Sequence, residues 1–145
     1  MKQYTIGLIT GALLAISAMM FMGAQNKNLG DITVTSIKAL NDDGDMVGFF
    51  GSLNGDGFLT TNNADGKETA YLGTGEGGNG LIRTFNADGK ETAYLGTGKD
   101  GGGKLHTYNK HGVMTGGFGT NTENDGIATL YDRYGDIGWS ASGKK

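Results

Sequence analysis

The sequence predicts an all-β protein of short antiparallel hairpins that repeat with a period of 23 and form a stacked β-meander or solenoid, preceded by one N-terminal hydrophobic helix. Residues 62–75 and 85–98 are nearly identical, and a fixed period of this size is the signature of a repeat architecture. The chain contains 29 glycines and no proline. Many of the glycines follow the same period: Gly66, Gly89, Gly112 and Gly135; Gly57, Gly80, Gly103 and Gly126; Gly73, Gly96 and Gly119.

The period sets the domain organisation. Residues 1–24 form the hydrophobic segment, residues 25–30 are a polar linker, and residues 31–145 form the β-repeat domain, which opens with a leading strand over 31–40. The predicted units are 40–61, 62–84, 85–107, 108–130 and a truncated 131–145. The first unit is one residue short, and the missing residue falls between Gly51 and Gly57.

Each unit contains two short runs that are typical of strands. Where the second unit meets the third, residues 81–85 and 91–95 are rich in aliphatic, aromatic and threonine residues and are bounded by Asn, Asp and Gly. The intervening Asn-Ala-Asp-Gly predicts a tight turn in which Gly89 takes a positive φ and Asn86 and Asp88 bond the local backbone. The two runs are therefore predicted to be antiparallel neighbours.

Simple alternation in this hairpin predicts how its side chains divide between the two faces. With Phe85 opposite Glu91, Ile82 falls opposite Tyr94, and Leu95 shares a face with Arg83. Neither face is then cleanly polar, and an isolated hairpin of this kind is marginal in water. We expect self-association, with a trimer as one candidate, or association with other envelope proteins.

The N-terminal segment predicts export. An uncharged run from Ile6 to Ala24 follows Lys2. It is either a secretory signal peptide cleaved after Ala24 or an uncleaved signal anchor that contacts the membrane through residues 6–24. Both interpretations place the repeats outside the cytoplasm of a bacterial cell. An uncleaved segment would anchor them in the cell envelope as a transmembrane helix, and cleavage would release them as a secreted protein. The absence of cysteine excludes disulfides, thiol nucleophiles and a lipoprotein anchor, and a net charge of −3 argues against nucleic acid.

No residue pattern predicts an enzyme, a cofactor or a metal. Asn121, Glu123, Asp125 and Asp132 partly match a calcium loop, but their flanks are strand-like and indicate turns instead. The two histidines, His106 and His111, have no second ligand in their own strands. The candidate ligand or partner surface comprises the aromatic residues of the repeats: Tyr71, Tyr94, Tyr108, Tyr131 and Trp139.

Two motifs carry a resemblance to known repeats. The segments 108–112 (Tyr-Asn-Lys-His-Gly) and 131–135 (Tyr-Asp-Arg-Tyr-Gly) resemble the YD repeats of bacterial surface proteins. With the following segment 114–118, the first motif also resembles the Gly-rich hairpin repeat of choline-binding, cell-wall-attaching modules, although Phe118 stands where those repeats have tryptophan. The resemblance implies stacked hairpins displayed at a bacterial surface.

These observations predict a non-enzymatic cell-envelope structural or interaction protein. It would be a membrane-anchored β-repeat subunit of an appendage or of a membrane complex. The alternative is a secreted glycan-binding or cell-wall-binding module that uses the aromatic surface.

Overall fold

A computed structural model describes residues 2–24, 31, 33–75 and 77–143, and over these residues the chain forms one helix and ten strands. The chain divides into two units, Met1–Thr33 and Val34–Lys145. The elements are α1 (Lys2–Ala24), β1 (Ser36–Leu40), β2 (Met46–Leu53), β3 (Asp56–Asn62), β4 (Glu68–Thr74), β5 (Gly80–Phe85), β6 (Glu91–Thr97), β7 (Gly103–Tyr108), β8 (Met114–Thr120), β9 (Gly126–Tyr131) and β10 (Ile137–Ser142).

The predicted N-terminal helix is present as α1, which has 23 residues. The hydroxyl groups of Thr10 and Ser17 donate to the carbonyl oxygens of Ile6 and Leu13, each at 2.8 Å. Both hydroxyls are thereby satisfied within the helix. In the part of the chain that the structure describes, no helix has the length and apolar character that crossing a bilayer requires. The predicted linker, residues 25–30, lies outside the described residues.

The ten strands form one open antiparallel sheet in which every strand pairs with its neighbours in sequence. Strands β1 and β10 are the two edges. The predicted all-β hairpin repeat is confirmed, and its arrangement is a meander, because successive hairpins lie side by side in one sheet. The leading strand is shorter than the predicted 31–40: β1 begins at Ser36, and Ile32 lies outside the described residues.

The turns explain one of the three periodic series of glycines, the one that contains Gly89. In the third unit the N–H of Asn86 donates to the carbonyl of Lys90, and the N–H of Gly89 donates to the carbonyl of Asn86, both at 2.9 Å. Gly89 has a φ of 77°, as predicted, and a positive φ is accessible to glycine without strain. Its counterparts Gly44, Gly66, Gly112 and Gly135 also have positive φ values.

The short first unit has a structural cause. Strands β2 and β3 are joined by Asn54 and Gly55 alone, with φ values of 54° and 92°. Two central residues with positive φ make a type I′ hairpin, for which Asn-Gly is the preferred sequence. This turn lies between Gly51 and Gly57, where the sequence predicted the missing residue.

The predicted register within the hairpins is wrong, because each unit has a β-bulge that alternation does not anticipate. Phe85 does pair with Glu91, but the register then shifts, so that Arg83 pairs with Tyr94 and Ile82 pairs with Leu95. Similar shifts adjoin the corresponding turns of the other units. A one-residue shift moves every later side chain to the other face, so the face assignment changes throughout the domain.

The side chain of Asn86 ties one turn to the next, and its removal gives a testable prediction. Its Oδ1 accepts from the N–H groups of Asp88 and Lys90, each at 3.0 Å, and its Nδ2 donates to the carbonyl of Lys110 at 3.1 Å. Asn86→Ala is expected to lower the free energy of unfolding by about 2 kcal/mol, measured by urea denaturation at fixed protein concentration.

Asn86→Asp is the matched control, because it keeps the acceptor oxygen for the two N–H groups, loses the donor to Lys110 and adds a negative charge. Its expected cost is about half as large. Aspartate can accept the two turn N–H groups in this protein, because Oδ1 of Asp132, at the equivalent position of the last turn, accepts from the N–H groups of Tyr134 and Asp136. Equal losses for the two Asn86 variants would show that the turn acceptor contributes nothing.

Candidate functional site

The bulges give the sheet a face whose described strand residues are uncharged and whose middle is apolar, here called the apolar face. Along its middle, one residue of each strand stands directly opposite one residue of the next, from edge to edge. This central row comprises Ile37, Phe50, Leu59, Leu72, Ile82, Leu95, Leu105, Phe118, Ala128 and Ala141. Its eight larger members are 40–59% exposed.

Small residues flank the central row on most strands. On one side the paired positions include Ala70 with Thr84 and Ala93 with Thr107, and on the other they include Thr97 with Gly103. None of the described strand residues on this face carries a charge.

Four threonine hydroxyl groups beside the turns are already paired within the sheet. The hydroxyls of Thr84 and Thr92 lie 2.9 Å apart, and Thr92 also donates to the carbonyl of Thr84 at 3.1 Å. Thr61 and Thr69 form the same arrangement in the preceding unit, with hydroxyls 2.8 Å apart. Because buried polar groups need hydrogen-bond partners, these contacts allow these four hydroxyls to be covered without being left unsatisfied.

The opposite face, here called the polar-aromatic face, contains the little core that the single chain has. Among the described residues, Leu81 is the only large apolar side chain that is buried, at 7% exposure, and none is fully buried. It lies between Gly73 and Gly96 in a row where glycine alternates with a larger residue. A β-carbon at Gly96 would lie 2.7 Å from Cβ of Leu81 and 2.9 Å from the carbonyl oxygen of Gly80. These glycines therefore permit close packing over the sheet.

A second row of the polar-aromatic face is built from rings and one guanidinium group. The ring of Tyr71 stacks on that of Phe58 at 5.9 Å, and the ring of Tyr94 stacks on that of His106 at 5.8 Å. Between the two tyrosines, the guanidinium carbon of Arg83 lies 5.8 Å from the centre of the Tyr94 ring. Such stacked and cation–π contacts stabilise the sheet surface.

Charged groups gather beside this row, around an open depression of about 730 Å³. Nε of Arg83 lies 3.6 Å from a carboxylate oxygen of Glu91, and this buried nitrogen makes no hydrogen bond. Partial burial raises the pKa of Glu68, and the guanidinium of Arg83 opposes that rise. Burial, and then the carboxylate of Glu91, raises the pKa of the Tyr108 hydroxyl.

The structure divides the five aromatic residues predicted as a ligand or partner surface. Tyr71, Tyr94 and Tyr108 line the depression, and Tyr131 lies on the same face, in β9. Trp139 lies on the apolar face, in the edge strand β10. The hydroxyls of Tyr71 and Tyr94 donate to carbonyl oxygens of Thr74 and Thr97, at 2.8 and 3.1 Å. The ring of Phe58 lies against Tyr71, and the ring of His106 and the guanidinium of Arg83 lie against Tyr94.

The residues considered as metal ligands are placed apart or act in turns. Oδ1 of Asn121 accepts from the N–H groups of Glu123 and Asp125, which is turn geometry. His106 stacks on Tyr94, whereas His111 lies in the next turn. Sequence reasoning missed the central row altogether. One signal could have found it. In the hairpin around Gly89, Ile82 and Leu95 stand opposite each other only when Thr92, the residue after Glu91, is left unpaired as a bulge.

Comparison with known proteins adds no relative from which a role could be transferred. No protein-family model matches the chain, and no curated protein is significantly similar to it. The resemblance to YD-type and choline-binding repeats therefore stays a prediction.

Proposed function

We propose that the β-domain is a non-enzymatic structural subunit whose copies associate through the apolar face. The observation that carries this proposal is the central row, an unbroken line of apolar side chains across ten strands, in which the eight larger members are exposed. Monomeric soluble proteins rarely expose large contiguous apolar patches, and such patches mark interaction sites. The stacking predicted from the sequence would then occur between chains.

The size of the face suits a stable association. Ten strands at about 4.8 Å spacing extend about 45 Å, and strands of six or seven residues are about 20 Å long. The face therefore covers on the order of 900 Å², close to the roughly 800 Å² that each partner contributes to a standard protein interface. Burying apolar surface is worth about 25 cal/mol per Å² before the costs of association.

The chemistry of the face favours another copy of the same chain as the partner. Two such faces bring together only apolar and small neutral residues, so no like charges meet and no carboxylate or ammonium is left unpaired. The described strand residues of the apolar face include no charged side chain that could pair with a highly charged partner, such as nucleic acid or an anionic glycan. The charged residues Arg83, Glu91 and Lys104 lie on the polar-aromatic face.

Sedimentation velocity of the full-length chain tests this proposal. We expect an assembly, not a 15.1 kDa species, to dominate at micromolar concentration and to dissociate on dilution. A species of monomer mass at every accessible concentration would contradict the proposed function.

We also propose that the domain acts outside the cytoplasm of a bacterial cell, as a subunit of an envelope assembly or appendage. Support comes from the sequence alone, in which Lys2 precedes the uncharged run from Ile6 to Ala24. The mass of the chain recovered from fractionated cells, beginning at Met1 or at Gln25, distinguishes a retained segment from a cleaved one. Recovery in the cytoplasmic fraction would contradict export.

A further inference from the structure

We propose that three copies enclose the central rows in a triangular prism, with the three-fold axis running parallel to each row. This inference rests on the proposed self-association and adds to it the number of copies and their geometry. Each sheet forms one wall, its apolar face points to the axis, and its polar-aromatic face points outward.

The first argument is the size profile of the side chains along each strand. On β6 the apolar face presents Ala93, Leu95 and Thr97, a large residue between two small ones. The same order of small, large and small recurs on every strand from β2 to β8, with Phe50, Leu59, Leu72, Ile82, Leu105 and Phe118 in the middle.

This profile distinguishes a prism from a two-layer sandwich. Two packed sheets keep a nearly constant separation of about 10 Å, so their flanking positions would need large side chains as much as their middle. In a triangular prism the space is widest in front of the middle of each wall and narrows toward the corners. Large residues are then required in the middle and small ones at the flanks, as observed.

The second argument is the distance from wall to axis. A wall about 20 Å wide, set by strands of six or seven residues, lies roughly 6 Å from the axis of an equilateral prism. Side chains that meet midway between packed sheets each fill about 5 Å. The leucine, isoleucine and phenylalanine side chains of the central row therefore reach the axis and fill it without a channel.

The third argument concerns the end of the row. The profile reverses in β9 and β10, where Ala128 and Ala141 occupy the middle and Leu130 and Trp139 stand at one flank. Atypical terminal units are expected where a stack of repeats must be closed. The prism therefore extends over β2 to β8 and closes differently at the β10 edge.

Native mass spectrometry of the full-length chain, with far-UV circular dichroism to verify folding, tests the copy number. We expect a species of three times the chain mass. A dimer or tetramer would overturn the prism and leave the proposed self-association standing, whereas a monomer at all concentrations would overturn both.

A substitution in the central row tests whether the trimer forms through the apolar face and not through α1 alone. Ile82→Asp, which changes a residue of the central row, is expected to reduce the trimer signal at least tenfold with strand content retained. The matched variant Leu53→Asp makes a similar change on the other side of the sheet and is expected to keep the trimer. A trimer that persists in Ile82→Asp would overturn the proposal.

Discussion

Replacing Leu95 with aspartate is expected to leave the chain folded and monomeric at concentrations where the wild-type chain is assembled. Leu95 lies in the middle of the central row and is half exposed in the single chain, so the substitution costs the isolated sheet little. In the assembly it would place an unpaired carboxylate in an apolar interior, at a cost of about 3 kcal/mol or more per copy. Association should weaken more than 100-fold, as measured by sedimentation velocity.

The control for this prediction makes the same chemical change away from the central row. Leu53 is also exposed in the single chain, at 65%, but it lies on the side of the sheet opposite Leu95. Leu53→Asp is therefore expected to sediment like the wild-type chain. If both variants assemble equally well, or if both dissociate, the central row is not the site of association.

Replacing Gly96 with alanine is expected to destabilise the sheet by about 2–3 kcal/mol, the typical cost of overpacking. The new methyl group would lie 2.7 Å from Cβ of Leu81 and 2.9 Å from both the carbonyl oxygen of Gly80 and the hydroxyl of Tyr94. The backbone atoms cannot yield without moving β5, and Tyr94 is held by its bond to Thr97. Urea denaturation with far-UV circular dichroism measures the loss.

Gly117 supplies the matched control on the same face of the sheet. A β-carbon there would make only an ordinary contact of 3.6 Å with the ring of His106. Gly117→Ala is expected to change the free energy of unfolding by less than about 1 kcal/mol, with a small gain from the reduced entropy of the unfolded chain. Equal effects of the two substitutions would show that the periodic glycines are not required for close packing.

The organisation of the domain was predictable from the sequence because it depends on local turn chemistry. The period, the strands and the turn containing Gly89 follow from where glycine and asparagine recur. The first unit is one residue short because its β2–β3 turn consists of Asn54 and Gly55 alone. Each of these features involves residues that are close in sequence and have strong conformational preferences.

The division between the two faces was not predictable from the pattern by simple alternation. One bulge residue after each turn exchanges the faces of everything beyond it, and the segment Glu91-Thr92-Ala93 gives no local sign of the insertion. Without the bulge, Tyr94 lies opposite Ile82 and both faces look mixed. With it, Tyr94 joins Arg83 on one face and Leu95 joins Ile82 on the other.

The candidate site was missed for the same reason. The sequence drew attention to the tyrosines, which the structure places largely in a stacked row beside Arg83, and it scattered the aliphatic residues over both faces. A row that crosses all ten strands depends on nine registers at once, and no single hairpin contains that information.

Thiol labelling tests most directly whether the apolar face is covered in the native protein. The chain has no cysteine, and Leu105 and Lys104 are neighbours in β7 on opposite faces, with similar exposure in the single chain, 40% for Leu105 and 30% for the Lys104 side chain. Maleimide rates of Leu105→Cys and Lys104→Cys, each normalised to its rate in denaturant, are expected to differ at least tenfold, with Leu105→Cys protected. Equal normalised rates would contradict a covered apolar face.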